Sequence, residues 1–149
     1  MLSQTAEYAL RAVLYLARES VGGPVRVDDV AEALDVPRNY LSKILHVLAR
    51  SGILASTRGP HGGFELARPP RELTLAEVVG EFDPPEESAA CLLSRARCSE
   101  QDPCPAHARW REAFAGVRAF LEDTTVAELA GSREGLSDDR AAGLVSRSG

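Results

Sequence analysis

All three cysteines of the chain, Cys91, Cys98 and Cys104, fall within fourteen residues, and one of its three histidines, His107, follows three positions after the last. The spacing is Cys-x6-Cys-x5-Cys-x2-His. Three chemistries fit these donors. A structural zinc ion accepts tetrahedral sulfur and nitrogen, but such sites usually present Cys-x2-Cys knuckles, and none occurs here. An iron–sulfur cluster suits soft thiolates and is wider than one ion, so its ligands can spread along a loop. A metal-free thiol switch needs only cysteines whose ionised form is favoured, and Arg95 and Arg97 lie between the first two. Inert burial fits worst, because Ser99, Glu100, Gln101 and Asp102 make the segment polar.

Such a loop must be held by ordered elements on both sides. Upstream, residues 3–19 have a helical stripe of Ala6, Leu10, Val13, Leu14 and Ala17. Gly22, Gly23 and Pro24 end it. A short helix is predicted over 28–34, with Asp28 and Asp29 at its positive end. A third spans 37–51, with Pro37 in the first turn, Leu41, Ile44, Leu45 and Leu48 on the apolar face, and Gly52 as the stop. Residues 53–67 predict a β-hairpin around "RGPHGG". Thr74 and Glu77 form a capping box for a further short helix. Downstream of the cysteines, a long helix starts near Pro105 and carries Trp110, Phe114, Val117 and Leu121 on one face. Thr125 and Glu128 cap a last short helix.

At 149 residues and 44% hydrophobic composition, the chain can bury a core without staples. Its first twenty residues lack the basic-then-apolar order of a signal peptide, and charges interrupt any membrane span. A cytoplasmic protein with reduced thiols and no membrane partner is expected. No phosphate-binding loop, Ser-His-Asp set or paired-carboxylate site stands out, so an enzyme is not expected.

Charge is unevenly distributed. Residues 36–71 carry Arg38, Lys43, Arg50, Arg58, Arg68 and Arg71 against Glu65 alone, a net of +5, in a chain whose total is −5. Two helices joined by a tight turn and followed by a cationic hairpin describe a winged helix-turn-helix. The chain is thus expected to be mainly α with a small β-hairpin, its second paired helix lying in the major groove of double-stranded DNA. Candidate DNA-binding residues are Arg38, Asn39, Tyr40, Ser42, Lys43 and His46 on that helix, and Arg58, Gly59, His61 and Gly62 in the wing. An iron–sulfur electron carrier would have no use for this cationic segment.

The stretches "SQTAEYALRAVLYLA", "VPRNYLSKILHVLARSGIL", "RGPHGGF", "LTLAEVV" and "CSEQDPCPAHARW" in this order resemble the IscR/NsrR-type family of winged-helix regulators over about residues 2–130. The resemblance implies a homodimer on an inverted-repeat operator, with an iron–sulfur cluster modulating occupancy. It places Cys91, Cys98 and Cys104 as metal ligands and His107 as the fourth, which implies a 2Fe-2S cluster. Glu7 falls where NsrR-like members have an acidic ligand reaching the partner subunit's cluster, the arrangement that accompanies a 4Fe-4S cluster. The first cysteine gap holds six residues against five in the IscR-like pattern, and some members lack a cluster. A zinc-bound or metal-free thiol-sensing regulator of the same fold is therefore the alternative. The expected organisation is a DNA-binding domain over 1–80, a cluster loop over 81–107, a dimerisation helix and short terminal helix over 108–130, and a disordered tail over 131–149.

Overall fold

Ser3 starts the first helix, its hydroxyl accepting the Ala6 N–H at 3.1 Å. The computed structural model describes residues 2–84, 91–93, 95 and 98–131; the tail expected over 131–149 lies, apart from Gly131, outside the described residues. The elements are α1 Gln4–Glu19, α2 Val27–Leu34, α3 Arg38–Arg50, β1 Leu54–Thr57, β2 Gly63–Leu66, α4 Leu75–Gly80, α5 His107–Asp123 and α6 Val126–Gly131. Short 3-10 turns lie at Ser20–Gly22 and Pro70–Glu72.

The buried face of α1 runs through Ala6, Ala9, Ala12, Val13, Leu14 and Leu16, while Leu10 and Ala17 of the expected stripe are half-buried. Alanines let α2, α3 and α4 approach this helix closely. Asp35 ends α2 in the left-handed region, at φ 53°, a conformation that aspartate tolerates better than most residues. Val36 then donates its N–H to Ala31 O at 3.0 Å, which tightens the turn into α3. Pro37 stands just before α3 rather than in its first turn, and its carbonyl accepts from Leu41 at 3.0 Å. Leu41, Ile44, Leu45 and Leu48 are buried as their spacing predicts. Each buried leucine contributes roughly 1.5–3 kcal/mol over an exposed one.

The hairpin is antiparallel, pairing Leu54 with Leu66 and Thr57 with Gly63. Its turn needs Gly59 at φ 104°. Phe64 faces the core and exchanges both backbone hydrogen bonds with Val25, at 2.8 and 2.9 Å. This bridge ties the wing to the α1–α2 connection. A Cβ on Gly63 would lie 2.2 Å from Val25 O, so glycine is what permits the approach.

The capping boxes at Thr74/Glu77 and Thr125/Glu128 both form. Residues 124–126 do not remain with the long helix. Leu75 donates to Thr124 O at 3.0 Å, Val126 donates to Leu73 O at 2.8 Å, and Val126 is fully buried in the core of the winged domain. Arg18 adds a hydrogen bond to Ala130 O at 3.0 Å, a cation at the negative end of α6. In contrast, α5 has no buried residue. Its stripe Phe114, Val117 and Leu121 is half-buried beside Ala76 and Val79 of α4, and Phe120 is 55% exposed. Among the described residues, no helix is long and apolar enough to cross a membrane.

Candidate metal centre and nucleic-acid interface

The loop that enters α5 folds on itself through its polar residues. Asp102 donates its N–H to Ser99 Oγ at 3.2 Å, and Ser99 donates to Asp102 O at 3.3 Å. Arg95 pairs with Asp102 at 3.1 Å, and Glu100 reaches forward to Arg111 of α5 at 3.2 Å. His107 donates its backbone N–H to Cys104 O at 3.0 Å, fixing the last cysteine against the first turn of the helix.

These contacts bring Cys91, Cys98 and Cys104 together, their sulfurs all within 4.8 Å of one another. Cys104 is buried and the other two half-buried. The donors fall into two pairs: Cys91 Sγ to Cys104 Sγ at 3.5 Å, and Cys98 Sγ to His107 Nδ1 at 3.3 Å. Leu92, Ser99, Trp110 and Arg111 complete the lining of the cavity between them. The His107 Nε2 is buried and, among the described residues, has no hydrogen-bond partner.

A tetrahedral metal with sulfur ligands has donor–donor edges of about 3.8 Å. Both pairs approach that value, and a two-iron cluster takes two protein donors per iron. An imidazole with one nitrogen against a thiol and the other buried without a protein partner is also under-satisfied. The residues present therefore fit an iron–sulfur group. The same separations fit a single tetrahedral ion and also leave Cys91 and Cys104 within about 1.5 Å of disulfide distance.

Among the described residues, hydrogen bonds and neighbouring thiols rather than arginine side chains shift the acidity of Cys91 and Cys98. Hydrogen bonding from the Arg95 backbone, helped by Leu93 and the neighbouring thiols, lowers Cys91 to about 7 against an opposing push from burial. Cys98 moves up. The Cys104 backbone pulls it down, but burial and the two neighbouring thiols together outweigh that pull. In the metal-free protein, Cys91 is thus richer in thiolate than Cys98. Glu7 lies exposed in the first turn of α1 and does not line this cavity.

The second site is a concavity between α3 and the wing. Its lining includes Arg38, Ser42 and His46 from α3 and Arg58 and Gly62 from the hairpin. His46 stands edge-on to the Phe64 ring at 5.4 Å, which holds helix and wing in register. Asn39 and Lys43 are exposed on α3 beside the concavity without lining it. Tyr40 is turned the other way. Its hydroxyl meets that of Thr5 and its ring stands edge-on to Tyr8 at 5.8 Å, so it joins α3 to α1. His61 does not line this concavity but another, with Tyr15, Glu19 and Asp29. Gly62 has an internal reason to be glycine: a Cβ there would lie 2.1 Å from Thr57 O. Gly59 is exposed at the tip.

Sequence reasoning missed Arg26 and Asp28, which also line the concavity. Asp28 pairs with Arg38 through Nε and lies 3.8 Å from Arg26. The sequence signal for them is an arginine just before a helix whose first turn is doubly acidic, upstream of the cationic segment over 36–71.

Residues 2–132 match the profile of Rrf2, described as an iron-dependent transcriptional regulator. An HTH-type transcriptional regulator of Aquifex aeolicus is 35% identical over 133 residues, covering 87% of this chain and 90% of the relative. The HTH-type transcriptional regulator IscR of Cronobacter sakazakii is 31% identical over 135 residues, covering 91% of this chain and 83% of the relative. Among solved structures, CymR, the global cysteine regulator of B. subtilis, superposes with a TM-score of 0.74 at 23% identity, over 88% of this chain and 96% of that one, a likeness of fold.

Proposed function

The chain belongs to the Rrf2 family of transcriptional regulators, and on that premise we propose that it is a cytoplasmic homodimer that binds an inverted-repeat operator under the control of an iron–sulfur cluster. Cys91, Cys98, Cys104 and His107 would hold the cluster, and a 2Fe-2S form suits the pairing of donors. The observation that carries this reading is the convergence of three thiols and one imidazole on the start of α5. When bound, such a group supplies sensitivity to redox state, iron supply or nitric oxide.

The chain's own residues do the rest. The loop contacts fix Cys104 and His107 to the first turn of α5. That helix buries none of its residues within the subunit, and a partner helix would cover its apolar stripe. The order of the loop then sets how the two subunits, and hence their α3 helices, are spaced. Half-sites on DNA tolerate little error in that spacing. The concavity between α3 and the wing supplies the cations that meet the duplex.

The test is isolation without oxygen, followed by a visible spectrum, iron and sulfide analysis, and operator binding before and after cluster loss. Coloured protein with equimolar iron and sulfide, and an operator affinity that changes on cluster loss, is the expected result. Colourless protein with stoichiometric zinc, even after attempted reconstitution, rejects the cluster. A second reading, a thiol-sensing regulator, is favoured by the 3.5 Å separation of Cys91 and Cys104. It predicts an oxidant-induced disulfide between them that alters DNA affinity without iron.

A further inference from the structure

Asp28 is the only carboxylate, among the described residues, that lines the concavity between α3 and the wing. It lies on α2, not on the recognition helix, and it faces a surface otherwise suited to phosphate. A carboxylate there repels DNA, so its presence calls for a physical reason. Its partners supply one. Asp28 Oδ1 meets Arg38 at Nε, and Oδ2 lies 3.8 Å from Arg26 Nη2.

The pair adds little to stability. Asp28 and Arg38 side chains are 52% and 59% exposed, and ion pairs so open to water contribute close to nothing measurable. Geometry is what the contact fixes. The hydrogen bond to Asp28 uses Nε of Arg38, and among the described residues neither terminal nitrogen of its guanidinium makes a hydrogen bond. Those two nitrogens form the fork that reads guanine O6 and N7, or clasps a phosphate, with two parallel hydrogen bonds. An unanchored arginine must order several torsions on binding. One held at Nε presents its fork already aimed.

Resting on the reading of α3 as the recognition helix, we propose that Asp28 is a specificity-determining positioning residue, which holds Arg38 so that its terminal fork reads a guanine in each half-site. Asp28 acts through Arg38 and need not touch DNA. Its negative charge simultaneously lowers affinity for arbitrary sequence.

The two effects can be separated with the full-length dimer. Selection from a randomised duplex pool gives the preferred site of the wild type, Asp28→Ala, Asp28→Asn and Arg38→Ala. Affinities for the chosen site and for random DNA are then measured across salt concentrations. Asp28→Ala should lose preference at one guanine per half-site by about tenfold, as should Arg38→Ala. Affinity of Asp28→Ala for random DNA should hold or rise. Asp28→Asn, which keeps an acceptor for Nε, should retain part of the preference. In an Arg38→Ala background, Asp28→Ala should change the preference no further.

Unchanged base preference in Asp28→Ala, with specific and random affinities rising together, overturns the proposal and leaves Asp28 as a bulk charge. A preference that shifts equally with and without Arg38 also overturns it. A wild type with no sequence preference at all would reject the regulator reading itself, a result distinct from either.

Discussion

The Cys98 thiol stands 3.3 Å from Nδ1 of His107, across a loop of eight intervening residues. This contact joins the middle cysteine to the first residue of α5, so whatever binds the thiols also grips the helix. His107→Ala should therefore leave a labile cluster or one of altered redox potential, while Cys91→Ala, Cys98→Ala and Cys104→Ala should each abolish it. Visible absorption and circular dichroism of oxygen-free protein read both outcomes. Glu7→Ala should leave the spectrum unchanged. A spectrum moved by Glu7→Ala and untouched by His107→Ala would instead place the fourth ligand on the partner subunit.

Removing the Arg58 side chain, exposed at the wing and lining the concavity, should weaken operator binding by about 1–3 kcal/mol if it meets a base edge or enters a groove. Lys43 lies beside the concavity. Lys43→Ala should reduce affinity alike on all sequences and shallow the salt dependence by about one unit. Titrations at several salt concentrations distinguish the two.

Gly62→Ala should disturb the wing rather than the core. The new Cβ would lie 2.1 Å from Thr57 O, a backbone atom that cannot yield without moving the turn. Operator affinity is expected to fall by at least tenfold while the helical circular dichroism signal is kept. Unchanged affinity would show that the wing tip does not contribute.

Arg68 Nη1 donates to Glu77 Oε1 at 2.9 Å, joining the segment after the wing to α4. Burial pushes the Glu77 carboxyl upward, but the Thr74 backbone N–H and the Arg68 guanidinium together outweigh it and leave it below its ordinary value. A depressed carboxyl stabilises the fold when ionised. Its contribution is complete above the ordinary glutamate range and is lost as pH falls through the folded value. Glu77→Gln should cost no more than about 1 kcal/mol near neutrality, since the pair is half-exposed. The difference from wild type should shrink as pH falls below the ordinary glutamate value and vanish once pH is below the depressed folded value. Denaturant midpoints near neutrality and through the acid range provide the check.

Phe120 is 55% exposed on a helix with no buried residue. If α5 packs on a second copy, Phe120→Glu should weaken the dimer at least tenfold in sedimentation equilibrium and lower operator affinity with it. Folding of the subunit should survive, because the core is drawn from α1–α4, the hairpin and Val126.

Local signals determined most of the fold. The stripe Leu41, Ile44, Leu45 and Leu48, the two Thr/Glu capping boxes and the glycine-rich hairpin turn are all set by neighbours within a few residues, so they are legible without tertiary contacts. The metal-ligand candidates were legible for the same reason: four donors within seventeen residues can meet through one loop. Three features depended on contacts between segments distant in sequence, and only the tertiary structure decided them. Tyr40 points to α1 because Thr5 and Tyr8 meet it there, thirty-odd residues upstream. Val126 enters the core because residues 73–75 offer backbone partners to residues 124–126. Asp28 faces Arg38 because the left-handed turn at Asp35 folds α2 back against α3. Periodicity reports which face of an element is apolar. It does not report which other element that face, or its polar edge, will meet.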